Sequence, residues 1–384
     1  MIYAVIAMIA LCAFVSLAVD LGKVQLAKTE LMRAADAAAR AAASELAKGS
    51  NLTTIQTAAV NIAAANKCDG TAVSLNSSTD VEFGTWDTTA KTFTNLGVGA
   101  YTSSNAIRVT ARRTSATSNA ITLAYARVIG RSTCDVKAAV IAYIPQPDPA
   151  ITGLTKFVAH SGLFLASYNS NSILIPSLFS GYHSNNGELG SNGSIDLGSS
   201  GNLWGDEYVG PSCSVSSNGI VHGTKHSQGV NLPTPTQAAM SSSSNPGGVS
   251  TTPTINGNVV WAGGTYYFTS FTMGDDDGVT FTGVATINMN GNFTAHDRCL
   301  IIPYGLKAGN LTWNQAAGTT FTVHDFFSIG GQFFGPSASL VADNDLYFGG
   351  TMLFKNISLY DDCQLFNDET LSTNNTSASI ITVR

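Results

Sequence analysis

Residues 264–305, "GTYYFTSFTMGDDDGVTFTGVATINMNGNFTAHDRCLIIPYG", decide how most of this chain folds. Short runs of Thr, Val, Ile, Phe and Tyr alternate with Gly, Asn and Asp, so strands are brief and turns come every few positions. A coil of such strands cannot hide its apolar side chains alone and must stack on a neighbouring coil. The Asn and Gly richness fits, because stacked turns need residues that tolerate positive φ. The same texture runs from Thr254 to "ASLVADNDLYFGGTMLFKNISLYDDCQLFNDETL", residues 338–371. The pattern predicts a parallel β-helix; a β-sandwich, the alternative, calls for cleaner period-two alternation.

Upstream, residues 167–205 hold so much Gly, Ser and Asn that long helices are ruled out. The one helical candidate is Pro235–Ser243, with Thr234 as its cap. "IPQPDPA", Ile144–Ala150, holds three of the eleven prolines and marks the domain boundary. Charge changes there too. Residues 1–150 carry 13 Lys plus Arg against 10 Asp plus Glu, whereas 151–384 carry 6 against 15, which argues against nucleic acid as a partner.

The N-terminal region is different again. Residues 1–19 carry no charge, and nine charges follow between Asp20 and Lys48. The uncharged run is long enough for a bilayer core, and the helical pattern continues to Gly49, giving one helix of about 48 residues and roughly 70 Å. Asp36 and Arg40 stand at the favourable i, i+4 spacing. "RAADAAARAAASELA", residues 33–47, puts alanine on every side, which permits close helix approach and suggests that neighbouring copies complete the core. The residues expected along a polymerisation face are Met1, Val5, Ile9, Cys12, Val15, Val19, Ala35, Ala39 and Ala42. A second helix is expected from about Thr53, then a small antiparallel sheet with a hairpin near Thr88–Lys91 and Trp86 on the buried face.

The fold class expected is therefore multidomain α+β: helix over 1–48, small α+β domain over 49–144, linker over 145–150, all-β unit over 151–384. Six cysteines are too few for a disulfide framework in this length. Cys68 and Cys134 flank the small sheet and form the candidate bridge, while Cys213, Cys299 and Cys363 allow at most one more. Asp275, Asp276 and Asp277 are a weak calcium candidate, set against a solvated turn. His296–Asp297 and His324–Asp325 are poor dyads, since adjacent strand residues face opposite ways. Arg112 and Arg113 read as a solvated pair at a strand end. No motif for nucleophilic, zinc or nucleotide chemistry stands out, so no enzyme activity and no cofactor are expected.

"LAVDLGKVQLAKTELMRAADAAARAAASEL", residues 17–46, resembles the N-terminal segment of TadE/TadG-like proteins of bacterial tight adherence pili, within the type IV pilin superfamily. "VEFGTWDTTAKTFT", "NAIRVTARRT" and "LAYARVIGRSTCDVKAAVIAYI" resemble the periplasmic portion of TadG-like proteins, in that order. The β-rich remainder resembles, less specifically, β-helical regions fused to such N-termini. The resemblance implies a precursor whose leader is removed, with an apolar residue opening the mature chain. It also marks a departure: Val5 stands where many type IV pilins carry Glu. The implied function is a structural pilin-like subunit of an extracellular filament, with its own copies, the inner membrane and the pilus assembly machinery as partners. The alternative is a membrane-anchored adhesin or glycan-binding protein.

Overall fold

The computed structural model describes all residues except 1, 88–89, 146–147, 173–182, 211–212, 217, 228–229, 231, 233, 238, 241–243, 372–380 and 384; for residues 2, 4–7, 9–13 and 128–129 it describes the backbone alone. The chain divides into two units, Met1–Pro145 with Ser377–Arg384, and Gln146–Thr376.

In the first unit, helix α1 runs unbroken from Ile2 to Ala47. It stops at Gly49, whose φ of 79° turns the chain, and the amides of Gly49 and Ser50 donate to the carbonyls of Leu46 and Glu45, each at 3.0 Å. Asp36 accepts from Arg40 Nε at 3.2 Å, the expected i, i+4 pair. Asn51 then caps helix α2, Leu52–Ala64, by accepting from the Thr54 amide at 2.9 Å. α2 buries Ile55, Ala59 and Ala63.

The sheet of this unit has the order Ile381–Val383, Val136–Tyr143, Ala106–Arg113, Val81–Asp87, Thr92–Asn95, with every neighbour antiparallel. Val136, Ala138, Val140 and Ala142 point into the core in strict alternation. One apolar cluster joins this face to α2 and to α1 from Ala27 to Leu46. Ala35, Ala39 and Ala42 have no exposure and belong to that cluster, so they are not the subunit contacts expected of them. Their small side chains let α2 and the sheet approach α1 closely, so the chain itself completes the core.

Three further expectations change here. Phe83 takes the buried position of its strand, and Trp86, of opposite parity, stands half-buried on the other face, stacked on Tyr143 at 6.1 Å. Arg112 and Arg113 are structural: Arg112 pairs with Asp80, and Arg113 donates to the carbonyls of Asn119 and Cys68 at 2.5 and 2.6 Å. The C-terminal strand Ile381–Val383, placed in the large β unit by its position in sequence, pairs instead with Val136–Tyr143. The second unit is thus an insertion, in sequence, between two neighbouring strands of the first unit's sheet. The hairpin expected near Thr88–Lys91 joins Val81–Asp87 to Thr92–Asn95, and residues 88–89 lie outside the described ones.

The second unit is one large sheet whose strands pair in parallel. Most short strands pair with the one three places later, as Thr254–Ile255 does with Phe271–Met273 and Asn258–Trp261 with Gly278–Phe281. Along one column of strands the order is Gly264–Phe268, Ala285–Met289, Leu311–Gln315, Ser328–Asn344 and Tyr347–Asp361. Tyr347–Gly350 pair with the later strand Gln364–Asp368, but from Met352 on the next neighbour in this column is not later in the chain. It is Ile151–Ala159, the first strand of the unit, followed by Gly187–Ser191, Gly205–Val209 and Lys225–His226. The chain therefore enters and leaves this stack in its middle. It winds outward to Lys225–His226, crosses to the opposite extreme at Thr254, and winds back.

The crossing, residues 227–253, is tied to the stack at both ends. Asn192 holds Leu232 through amide and carbonyl, both at 2.9 Å, and Asn245 holds the amide of Tyr267 at 2.7 Å. The helix expected over Pro235–Ser243 does not form among the described residues of that range; 238 and 241–243 lie outside them.

Inside the stack, register places like on like. Phe271, Phe293 and Phe321 occupy successive levels with ring centroids 5.1 and 4.5 Å apart. Such pairs add about 0.5–1.5 kcal/mol each to the burial of the rings themselves. Glycine is required where levels touch most closely. At Gly350, φ is 143° and an added Cβ would run into the Gly331 carbonyl of the adjacent level.

Candidate functional site

The feature with the clearest capacity to bind is the front half of α1. Tyr3 is 88% exposed and Phe14 74%, and Met8, Val15, Leu17, Val19, Leu21 and Leu26 are exposed as well. Isolated apolar side chains on a surface mean little, but a contiguous run on one helix marks an interaction surface. Of the residues expected on the polymerisation face, Val15 and Val19 are thus open to partners. Met1 and the side chains of Val5, Ile9 and Cys12 lie outside what is described.

Asp20 fixes the point where the helix leaves its own core. It is 3% exposed, and its carboxylate accepts from the amides of Ala124 and Tyr125 at 2.9 Å and of Ala126 at 2.6 Å. These are the otherwise unpaired donors opening the one-turn 3₁₀ helix Ala126–Ile129. Desolvation raises the Asp20 pKa, but the three amides and nearby Lys23 outweigh it and hold the carboxyl below its ordinary value. Lys23 reinforces the join by donating to the Thr122 carbonyl at 3.0 Å and pairing with Asp69 at 3.3 Å. Sequence reading took Asp20 only as the end of the apolar run. The missed signal is a lone acid at the border of an uncharged helix, a place where it needs donors.

Residues 1–45 match the Tad family model, described as "Putative Flp pilus-assembly TadE/G-like". The match covers the projecting half of α1, the Asp20 join and most of the buried alanine face. The match spans 45 of the 384 residues and links this segment to TadE/G-like proteins of pilus assembly. No curated protein and no solved structure matches the chain. Among the described residues, no helix is long and apolar enough to cross a membrane, so the bilayer span expected over Met1–Val19 is not confirmed.

The remaining candidates are separate structural contacts. Asp276 forms a two-point ion pair with Arg298, at 2.6 and 2.8 Å, which holds its carboxyl below the ordinary range. Asp277 is buried and accepts from the amides of Gly257 and Gly274, and Asp275 accepts from the Asp297 amide at 3.4 Å. Each of the three carboxylates thus faces its own donors, and among the described residues no three His, Cys, Asp or Glu side chains gather to hold a metal. His324 contacts Asp343 at 2.6 Å, not Asp325, and stacks on His296 one level away at 5.3 Å.

Cys68 and Cys134 are both free, which corrects the expected bridge. The Cys68 thiol is buried against α1 and donates to the Ala27 carbonyl at 3.4 Å, whereas Cys134 turns toward the Asp135 carbonyl. Cys213, Cys299 and Cys363 are free as well.

Proposed function

We propose that this chain is a structural subunit of an extracellular bacterial filament. It polymerises by packing the front half of α1 among copies of itself and displays the inserted unit outside. The observation that carries this reading is the division of α1 just past Asp20 and Lys23: large apolar side chains lie exposed up to Leu26, and a sealed core runs from Ala27. Burying side chains of this size against copies gains about 1.5–3 kcal/mol each, a strong driving force when several act together. The TadE/G-like match supports a role in a pilus system.

In this reading the inserted unit is a parallel β-helix, supported by the three-strand winding of its pairs. The chain acts through assembly rather than catalysis. Before export the uncharged start is held at the inner membrane and handed to the assembly machinery. Deleting residues 2–19 yields soluble monomers under this reading; sedimenting filaments from the truncated chain would reject it. The same uncharged run suits a second reading, an anchored adhesin. Shearing cells separates the two, since a filament subunit is released and an anchored protein stays in the membrane pellet.

A further inference from the structure

Two cavities of the inserted unit, of about 510 and 230 Å³, share Asn314 and Phe334 in their walls and form one cleft. Its floor is the outer face of the stack, so its groups repeat from level to level. One column reads Tyr267, Asn288, Asn314, Phe334, and the next reads Thr286, Thr312, Gln332, Thr351. Adjacent levels are about 4.8 Å apart, so the cleft offers amides and hydroxyls at a regular pitch with an aromatic ring at either end of the first column.

Two details point to a polar occupant. Asn314 Nδ2 donates to Asn288 Oδ1 at 2.9 Å, which fixes both amides and leaves Asn314 Oδ1 and Asn288 Nδ2 without a partner among the described residues. On the wall formed by the crossing segment, both amide atoms of Gln237 are buried and have no hydrogen-bond partner among the described residues. A buried amide with neither atom paired is uncommon in a folded protein and calls for a group to fill it.

The lining also selects. Among the described residues it contains no Lys or Arg and one charged side chain, Asp148, so an anionic ligand finds no counter-charge there. The floor is a sheet face and not an edge, so a peptide strand finds no backbone ladder to extend. Fixed amides that pair with hydroxyls, beside rings that cover C–H faces, are the complement of a sugar. We infer that this cleft binds an uncharged oligosaccharide laid across successive levels, its hydroxyls on Asn288, Asn314, Gln332 and Gln237 and a pyranose ring on Phe334 or Tyr267. This assignment does not depend on filament assembly.

The test is calorimetric titration of the full chain in detergent with chitohexaose, cellohexaose, maltohexaose and, as the charged comparator, hexagalacturonate. At least one uncharged hexasaccharide is expected to bind with a Kd below about 1 mM, and Asn314→Ala and Gln237→Leu are each expected to weaken it about tenfold. Asn314 faces outward and Gln237 lies on the crossing segment, so neither change touches the packed interior; an unaltered melting temperature verifies this. Should one variant melt early, the other decides. Binding of hexagalacturonate alone, no binding of the three uncharged sugars, or affinities unmoved by both substitutions overturns the assignment. Sedimentation of the same preparations reports assembly separately and is expected to be unchanged.

Discussion

Lys225 Nζ, on the outermost level of the stack, lies 3.0 Å from Glu207 Oε2, a carboxylate with no exposure to solvent one level further in. Along the column that Glu207 and then Lys225 close, the preceding levels carry Trp313, Phe333, Met352, Ile151 and Leu189. The pair therefore replaces an apolar contact where no further level exists to cover one. Lys225→Ala strands the carboxylate and should cost the unit about 1–3 kcal/mol, the lower part of the range for broken buried pairs because Lys225 is half-exposed. The double change Glu207→Leu with Lys225→Leu should be close to neutral. Urea unfolding of the three proteins measures this; equal stability of the single and double variants contradicts it.

Asp20 gives the first unit a pH dependence. Its folded pKa is held below the ordinary Asp value of 3.8, so its contribution is fully present above about pH 4 and fades as pH falls through the lower folded value. Asp20→Asn should lower the melting temperature near neutral pH, and the gap from the natural protein should close on acidification. A gap that stays constant down to pH 2 would show that the carboxylate's charge is not what holds the three amides.

Gly350 and Gly318 separate two kinds of glycine. Gly318 has φ of 75° with open space where a Cβ would stand, while Gly350 faces backbone of the adjacent level. Gly318→Ala should cost about 1 kcal/mol from the left-handed conformation alone. Gly350→Ala should cost well over 2 kcal/mol, because two levels must move apart. Similar melting temperatures for the two variants would count against the level-to-level contact.

The cysteines differ in reactivity. Burial pushes the Cys299 thiol up to about 11 and the Cys363 thiol up to about 12, and both side chains lie within the stack. Neither should react with a thiol reagent at pH 8 until the unit unfolds, because the thiolate is the nucleophile. Half-buried Cys134 should react first among the described cysteines. Cys68 and Cys134 should both be recovered as thiols on non-reducing mass analysis; a linked peptide containing the two would refute the free assignment.

Local features were legible in the sequence where local forces decide them. Gly49 as a helix stop, a second helix starting near Thr53, the Asp36–Arg40 pair and the brief strands between turn residues all follow from neighbouring residues. What escaped depends on distant partners. Ala35, Ala39 and Ala42 look the same whether they meet α2 or another copy. Nothing in "ITGLTKFVA", residues 151–159, says that it lies against residues 347–361, because parallel pairing leaves no turn between the partners to read. Cys68 and Cys134 were paired by position around the sheet, while their directions are set by what each packs against. The amides of the cleft were invisible for the same reason: Asn288, Asn314 and, in the next column, Gln332 become neighbours only once the levels are in register.

Because the chain joins the stack at its midpoint, neither extreme bears a chain terminus. Each extreme is a place where the polypeptide merely turns around. A level can be added or removed at either one, with a change in the crossing segment to match, while the strands carrying the junction keep their partners. Length in this unit is thus adjustable from both directions around a fixed attachment. That arrangement suits a module whose reach varies while its point of connection does not.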